Sequence, residues 1–244
     1  MTTMVMTLTM TTKDYHDPYI EGKDVLKDNP MDLYDTPVDL VRGALDVFKQ
    51  WHYKKHEAYF YPSIVIDPGA GSGIWGQLVK KMFVSPTGQI PAPMGVDLRE
   101  LERPRGFQWW YPNTDFLKWE PAMNGKVAFV CGNPPYGVSG GKRNRKLAEQ
   151  FIRHSLDLCC SGGYVYFLLK SVFTEGIDRG KGLFSLTPPV AIFQSIRRIP
   201  WRPDEHGNRS NKVAYSMFLW QKNVRHMRTE FYWFDWKDGK GVLI

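Results

Sequence analysis

The sequence predicts an α/β fold with a mostly parallel sheet and helices on both faces. Three observations carry that expectation. Ser63-Ile64-Val65-Ile66 is a short apolar run that delivers the glycine-rich stretch Asp67-Pro68-Gly69-Ala70-Gly71-Ser72-Gly73, and Ile74, Trp75, Leu78 and Val79 then repeat at helical spacing. About 30 residues beyond Asp67, Met94-Gly95-Val96-Asp97 reads as a second strand ending in an acid, the separation of one β-α-β unit with a long loop. Val127-Ala128-Phe129-Val130-Cys131-Gly132 is too short for a helix and runs into Asn133-Pro134-Pro135-Tyr136. In an open α/β sheet, ligands bind at the carboxyl ends of such strands.

Composition sets the bounds. The chain has 244 residues, of which 43% are hydrophobic and 23% charged, as expected for one large domain with small insertions. The net charge of +7 and a pI near 9.2 favour a polyanionic partner. Aromatic residues make up 14%, a supply of rings for the core and for stacking on bases. Cys131, Cys159 and Cys160 form no disulfide framework, which points to a reducing, cytoplasmic compartment. No apolar stretch approaches a membrane span, and the Thr- and Met-rich start lacks a basic secretory leader.

Taken in order, residues 1–30 read as a loosely ordered arm. Thr36 and Pro37 read as the cap and first turn of a helix, with Val38, Val41, Leu45 and Phe48 as its apolar stripe, continuing to about His56. His52 and His56 are four apart but have no third ligand in an obvious place, so no metal site is expected. The glycines at 69, 71 and 73 lack the spacing of the dinucleotide fingerprint, and no Gly-Lys-Ser/Thr follows for a phosphate loop. Residues 84–93 form a loop. The Trp109-Trp110 pair lies in a segment unsuited to a helix and leads to Asn113-Thr114-Asp115-Phe116.

After Tyr136, glycines precede Lys142, Arg143, Arg145 and Lys146, four positive charges within five residues, which suits a loop that grips phosphates. Leu147, Phe151, Ser155 and Leu158 line one side of a helix that Gly162-Gly163 should end. Tyr164 to Leu169 is a fully buried strand, with Lys170 at its end. Residues 172–190 hold a short helix or lid. Ser195 to Trp201 reads as a strand bearing Arg197 and Arg198, and Val213 to Trp220 as a second late strand. Arg202 and Arg209, in the loop between them, are further candidates to flank substrate entry. Residues 223–244 are an aromatic tail or an edge strand.

The stretch Asn133-Pro134-Pro135-Tyr136 resembles the Asn-Pro-Pro-Tyr motif of the S-adenosylmethionine-dependent amino-methyltransferases. The order of elements from Tyr34 to about Lys222 is similar to that of the N6-adenine DNA methyltransferases. The resemblance implies a Rossmann-like class I methyltransferase fold, with a mostly parallel seven-stranded sheet and an antiparallel last strand, over a catalytic domain at 31–222 with basic insertions at 137–146 and 172–190. It implies S-adenosyl-L-methionine as cofactor, held by Tyr34 and Thr36 on the methionine side, by Asp67, Gly69, Gly71 and Gly73 in the turn, by Asp97 at the ribose, and by Asp115 and Phe116 at the adenine. It implies catalysis by Asn133, the Pro134 carbonyl and Tyr136. Pro135, Lys142, Arg143, Arg145, Lys146, Lys170, Arg197 and Arg198 would contact the substrate.

The implied reaction is methyl transfer to N6 of a flipped adenine in DNA. The same motif occurs in enzymes acting on RNA adenine and on glutamine amides of proteins, and a binding subunit without activity is a further alternative. Cytosine C5 chemistry would need a Cys after a proline, and no Pro-Cys occurs. The chain departs from many such enzymes in having only about twenty residues after Trp220, so selectivity would come from the basic insertions or from a separate partner, in a monomer or homodimer.

Overall fold

The computed structural model describes residues 35–122, 126–136, 138–139, 142–144, 146–201, 213–224 and 228–244, the backbone alone for 138, 139, 142 and 143. The arm 1–30, Tyr34, Arg145, Arg202 and Arg209 lie outside them. The first helix, α1, spans Val38–His56. Strand β1 (Ile64–Pro68), helix α2 (Ile74–Met82) and strand β2 (Ala92–Val96) form the β-α-β unit. Strands β3 (Trp109–Tyr111) and β4 (Val127–Gly132) follow, then the small hairpin β5 (Val138–Ser139) and β6 (Lys142–Arg143), helix α3 (Leu147–Leu158) and strand β7 (Cys159–Lys170). The chain closes with β8 (Ala191–Ser195), β9 (Tyr215–Gln221), β10 (Glu230–Asp235) and β11 (Val242–Leu243).

Among the described residues, nine strands form one sheet in the order β3-β2-β1-β4-β7-β9-β8-β10-β11. From β3 to β7 every pairing is parallel. Strand β9 is inserted antiparallel between β7 and β8, and β10 runs parallel to β8 with β11 antiparallel at the edge. Seven strands, β3 to β8, therefore make a Rossmann-like sheet with one antiparallel member, and the C-terminal segment adds two more at its edge.

The central strands are apolar because both faces are covered. Val65, Phe129 and Cys131 pack in one core with Leu45 and Phe48 of α1 and Trp75 and Leu78 of α2. Ile66, Val127 and Val130 point the other way, against Leu147, Phe151 and Ile152 of α3. Phe129 is fully buried, with its ring 4.9 Å from that of Phe48, and truncating such a ring costs about 3–5 kcal/mol. Beyond β7, Phe173 and Leu183 anchor the 171–190 segment, while Ile177 and Leu186 are exposed.

Three local expectations are corrected. Thr36 does not cap α1: the N-cap is Pro37, and the buried Thr36 hydroxyl accepts the indole N–H of Trp75 at 3.3 Å. Gly162 and Gly163 do not end α3. That helix stops at Leu158, and both glycines lie within β7, beside a register shift against β4. The strand expected at 195–201 is β8 at 191–195. Ser195 to Trp201 alternates like a half-buried strand, but the continuous run Ala191-Ile192-Phe193 is what the covered sheet selects. Among the described residues no helix is long and apolar enough to cross a membrane.

Candidate active site

From β1 the chain passes to β2 on one side of the sheet, and β4 lies on the other. The β1/β4 boundary is thus a switch point, and the turn after β1 faces the bend after β4 across it. A Cβ on Gly69 would lie 3.5 Å from Cδ of Pro135. Gly69, Gly71 and Gly73 have φ of 67°, 55° and 74°, the left-handed region where glycine carries no steric cost. The N–H groups of Gly69 and Ala70 both donate to the Val96 carbonyl, at 2.8 and 3.1 Å, which ties the turn to the end of β2.

Asp67 lies beneath this turn and is buried. Its Oδ2 accepts the Gly76 N–H at 3.0 Å, while its Oδ1 has no hydrogen-bond partner among the described residues. Burial, and next the charge of Asp97, push its pKa well above the usual carboxylate range, against the Gly76 hydrogen bond. A buried carboxyl oxygen without a partner is costly, and it fits a polar ligand group that can hydrogen-bond to it. Asp35 and Thr36 close the same region: Asp35 Oδ1 stands 3.5 Å from where a Gly71 Cβ would be.

Asp97 follows directly on β2 and is 4% exposed. Its Oδ2 accepts the Gly71 N–H at 2.8 Å, and its Oδ1 the Arg99 N–H at 2.9 Å. The Arg99 guanidinium adds Nε to Oδ1 at 2.9 Å and Nη2 to Oδ2 at 3.1 Å. The Thr114 N–H donates to the Asp97 carbonyl at 2.8 Å, which draws the Asp115 turn to the same sheet edge. Asp115 caps a short helical turn, accepting the Leu117 N–H at 3.1 Å, and its other oxygen lies 3.6 Å from Lys118 Nζ at the surface. Phe116 is buried, its ring 5.0 Å from that of Phe151.

The bend after β4 brings Asn133 and Tyr136 together. Tyr136 Oη donates to Asn133 Oδ1 and lies 3.2 Å from the Leu168 carbonyl, its single proton serving one acceptor at a time. The half-buried Tyr136 ring packs 6.0 Å from Tyr215, and Lys170 Nζ sits 5.2 Å from its centroid. Cys131, two residues before Asn133, is fully buried, which raises its thiol pKa and holds it protonated.

The remaining candidates are more dispersed. Lys142 and Arg143 form the second strand of the β5–β6 hairpin, and Lys146 is exposed at the start of α3. Arg197 is exposed beyond β8 and pairs with Asp235, Nη2 to Oδ2 at 2.9 Å. Arg198 is exposed beside it. His52 and His56 are satisfied by the Ala58 carbonyl at 3.0 Å and the Tyr164 hydroxyl at 3.2 Å. Sequence reasoning passed over Arg99 and Asp35. The i, i+2 spacing of Asp97 and Arg99 was a signal for the first; the second shows only once α1 is seen to start beside the glycine turn.

No family model matches the chain, and no curated protein does. Solved structures resemble it. One is a putative class I S-adenosylmethionine-dependent methyltransferase from Listeria monocytogenes, 13% identical with a TM-score of 0.55 over 78% of this chain and 64% of that one. Another is the methyltransferase subunit of a type I restriction-modification system from Streptococcus thermophilus, 14% identical with a TM-score of 0.60 over 89% and 51%. The fold is that of the class I methyltransferases. A cryo-electron-microscopy structure of a DrdV–DNA complex is 14% identical, with a TM-score of 0.56 over 83% of this chain and 27% of that one. The chain thus spans 64% or less of each of these solved structures.

Proposed function

We propose that the chain transfers a methyl group from S-adenosylmethionine to the N6 amino group of adenine in DNA. The observation that carries the reading is the meeting of two turns: the glycine turn of β1 lies against Pro135 of the Asn133-Pro134-Pro135-Tyr136 bend. The donor set suits the cofactor. Asp67 and the glycine turn would hold its methionine portion, Asp97 its ribose hydroxyls and Asp115 its adenine amino group, with Tyr34 and Thr36 closing the methionine side. The bound cofactor supplies an electrophilic methyl on a sulfonium.

The chain's own part is orientation. An adenine amino group is a weak nucleophile, because its lone pair is drawn into the ring. Asn133 Oδ1 and the Pro134 carbonyl, both on a proline-stiffened bend, would accept its two N–H groups and turn the lone pair toward the methyl. Asn133 Oδ1 has a second lone pair for this beside the Tyr136 hydroxyl, and the Leu168 carbonyl at 3.2 Å is that hydroxyl's alternative acceptor. Neither acceptor acts as a strong base, since the nitrogen can lose its proton after it has become cationic.

Flipping the base costs a few kcal/mol, and stacking on Tyr136 returns about 1–3 kcal/mol of it. Lys170 beside that ring, with Lys142, Arg143, Arg145 and Lys146 on the adjoining segment and Arg197 and Arg198 beyond β8, would bind phosphates. The net charge of +7 supports a nucleic acid over a protein amide, and likeness to a protein solved with DNA supports DNA. Target selectivity would come from the basic segments or a separate partner.

Labelled methyl transfer onto duplex DNA, single-stranded DNA, RNA and protein in parallel, with nucleoside digestion of the product, tests the reading. N6-methyladenine from DNA is the expected product. Label in RNA or on glutamine would reassign the substrate, and no label anywhere would end the enzymatic reading.

A further inference from the structure

We propose that Arg99 is a built-in occupant of the Asp97 carboxylate, a positioning residue that keeps this acid ready before the cofactor binds and must let go when a ribose arrives. The inference rests on the assignment of Asp97 to the ribose. A carboxylate has about four lone-pair positions. Here all four are taken: Oδ1 by the Arg99 N–H and Nε, each at 2.9 Å, and Oδ2 by the Gly71 N–H at 2.8 Å and Arg99 Nη2 at 3.1 Å. Asp97 is 4% exposed, so neither oxygen keeps a free side for an incoming pair of hydroxyls.

Two of the four donors cannot leave. Gly71 belongs to the turn that is bonded to β2, and the Arg99 backbone is fixed because its carbonyl accepts the Asn113 N–H at 3.0 Å. The guanidinium is the movable pair. Its Nε–H and Nη2–H present two parallel donors, one to each oxygen, which is the pattern that vicinal ribose hydroxyls present. The fork therefore stands in for the ribose. Arg99 Nη2 and Asp35 Oδ1 each lie 3.5 Å from the position of a Gly71 Cβ, so a second carboxylate flanks the same turn. Cofactor binding would displace the guanidinium from Asp97, and the measured affinity would carry the cost of that exchange.

Calorimetric titration of S-adenosylhomocysteine into the full chain and its R99A, R99K and D97N variants tests this, alongside thermal melting. R99A should bind about tenfold more tightly than the parent chain while melting at a lower temperature without ligand. R99K, which can fill one oxygen but not both, should fall between. An arginine that only holds the turn together would lower stability and affinity in the same direction. Equal or weaker binding by a folded R99A therefore overturns the proposal. If R99A does not fold, equal or weaker binding by R99K does so. D97N separates the two ideas: unchanged binding there overturns the ribose role of Asp97, and this proposal with it, whereas lost binding in D97N with weaker binding in R99A overturns the exchange alone. If neither the parent nor any variant binds, the cofactor reading itself fails.

Discussion

Tyr136 donates its hydroxyl to the side-chain oxygen of Asn133, three residues back in the same bend. The contact joins the ring proposed to stack on a base to the acceptor proposed to hold its amine. Residues in such contact couple in mutation, so each is tested by its own readout.

Asn133→Ala removes the acceptor and leaves the glycine turn intact. Methyl transfer should fall by about 10²–10³-fold or more, with little change in cofactor affinity. Single-turnover kinetics beside calorimetry checks both halves. A variant that keeps most of its rate would contradict the assigned role.

Tyr136→Phe keeps the ring and loses the hydroxyl, so nucleic-acid binding should hardly change. Tyr136→Ala loses the stacking surface and should weaken binding by about 1–3 kcal/mol. Fluorescence anisotropy with an adenine-containing oligonucleotide distinguishes the pair, and equal losses in both would place the hydroxyl, not the ring, at the substrate.

Asp67 predicts a pH dependence. Its folded pKa is raised by burial and by Asp97, so the folded chain holds this proton more tightly than the unfolded one. The stability this contributes is complete below the unfolded value of about 3.9 and is lost as pH rises toward the folded pKa. Asp67→Asn removes the ionisation. Its melting temperature should gain on the parent chain as pH rises from about 4 toward neutrality. Parallel curves across that range would contradict the shift.

Gly95→Ala should cost about 1–3 kcal/mol through overpacking, since a Cβ there would lie 2.2 Å from the Trp110 ring and 2.9 Å from Phe107. Calorimetric unfolding measures this directly. An unchanged midpoint would mean that the Trp110 ring yields readily.

Neutralising Lys142, Arg143, Arg145 and Lys146 together should weaken nucleic-acid binding and flatten its salt dependence by up to about 0.9 per lost phosphate contact. An unaltered slope of log affinity against log salt would return these charges to solvent.

Much of this fold was legible because both faces of the central strands are covered. Val65-Ile66 and Phe129-Val130-Cys131 read as continuous apolar runs, and Gly69, Gly71 and Gly73 punctuate the turn that needs left-handed backbone. The late strands were harder. Ser195-Ile196-Arg197-Arg198-Ile199 has the alternation of a strand, yet only Ser195 belongs to one, since strand bounds depend on which residues find a partner in the sheet. Phe231 to Trp236 could be placed only as a tail or an edge strand because its outer face stays exposed, as Phe231 and Trp233 show. Side-chain pairings between distant segments, Thr36 with Trp75 or Tyr136 with Lys170, leave no periodic trace.

A crystal structure with a bound cofactor analogue and an adenine nucleotide would show whether the two turns bring the methyl donor and the amine face to face. The methyl-bearing atom is expected on the same side as the bend, with the amine held by Asn133 Oδ1 and the Pro134 carbonyl about 3–3.5 Å away. A cofactor whose sulfur lies remote from Asn133, or is screened from it by packed core side chains, would contradict that arrangement.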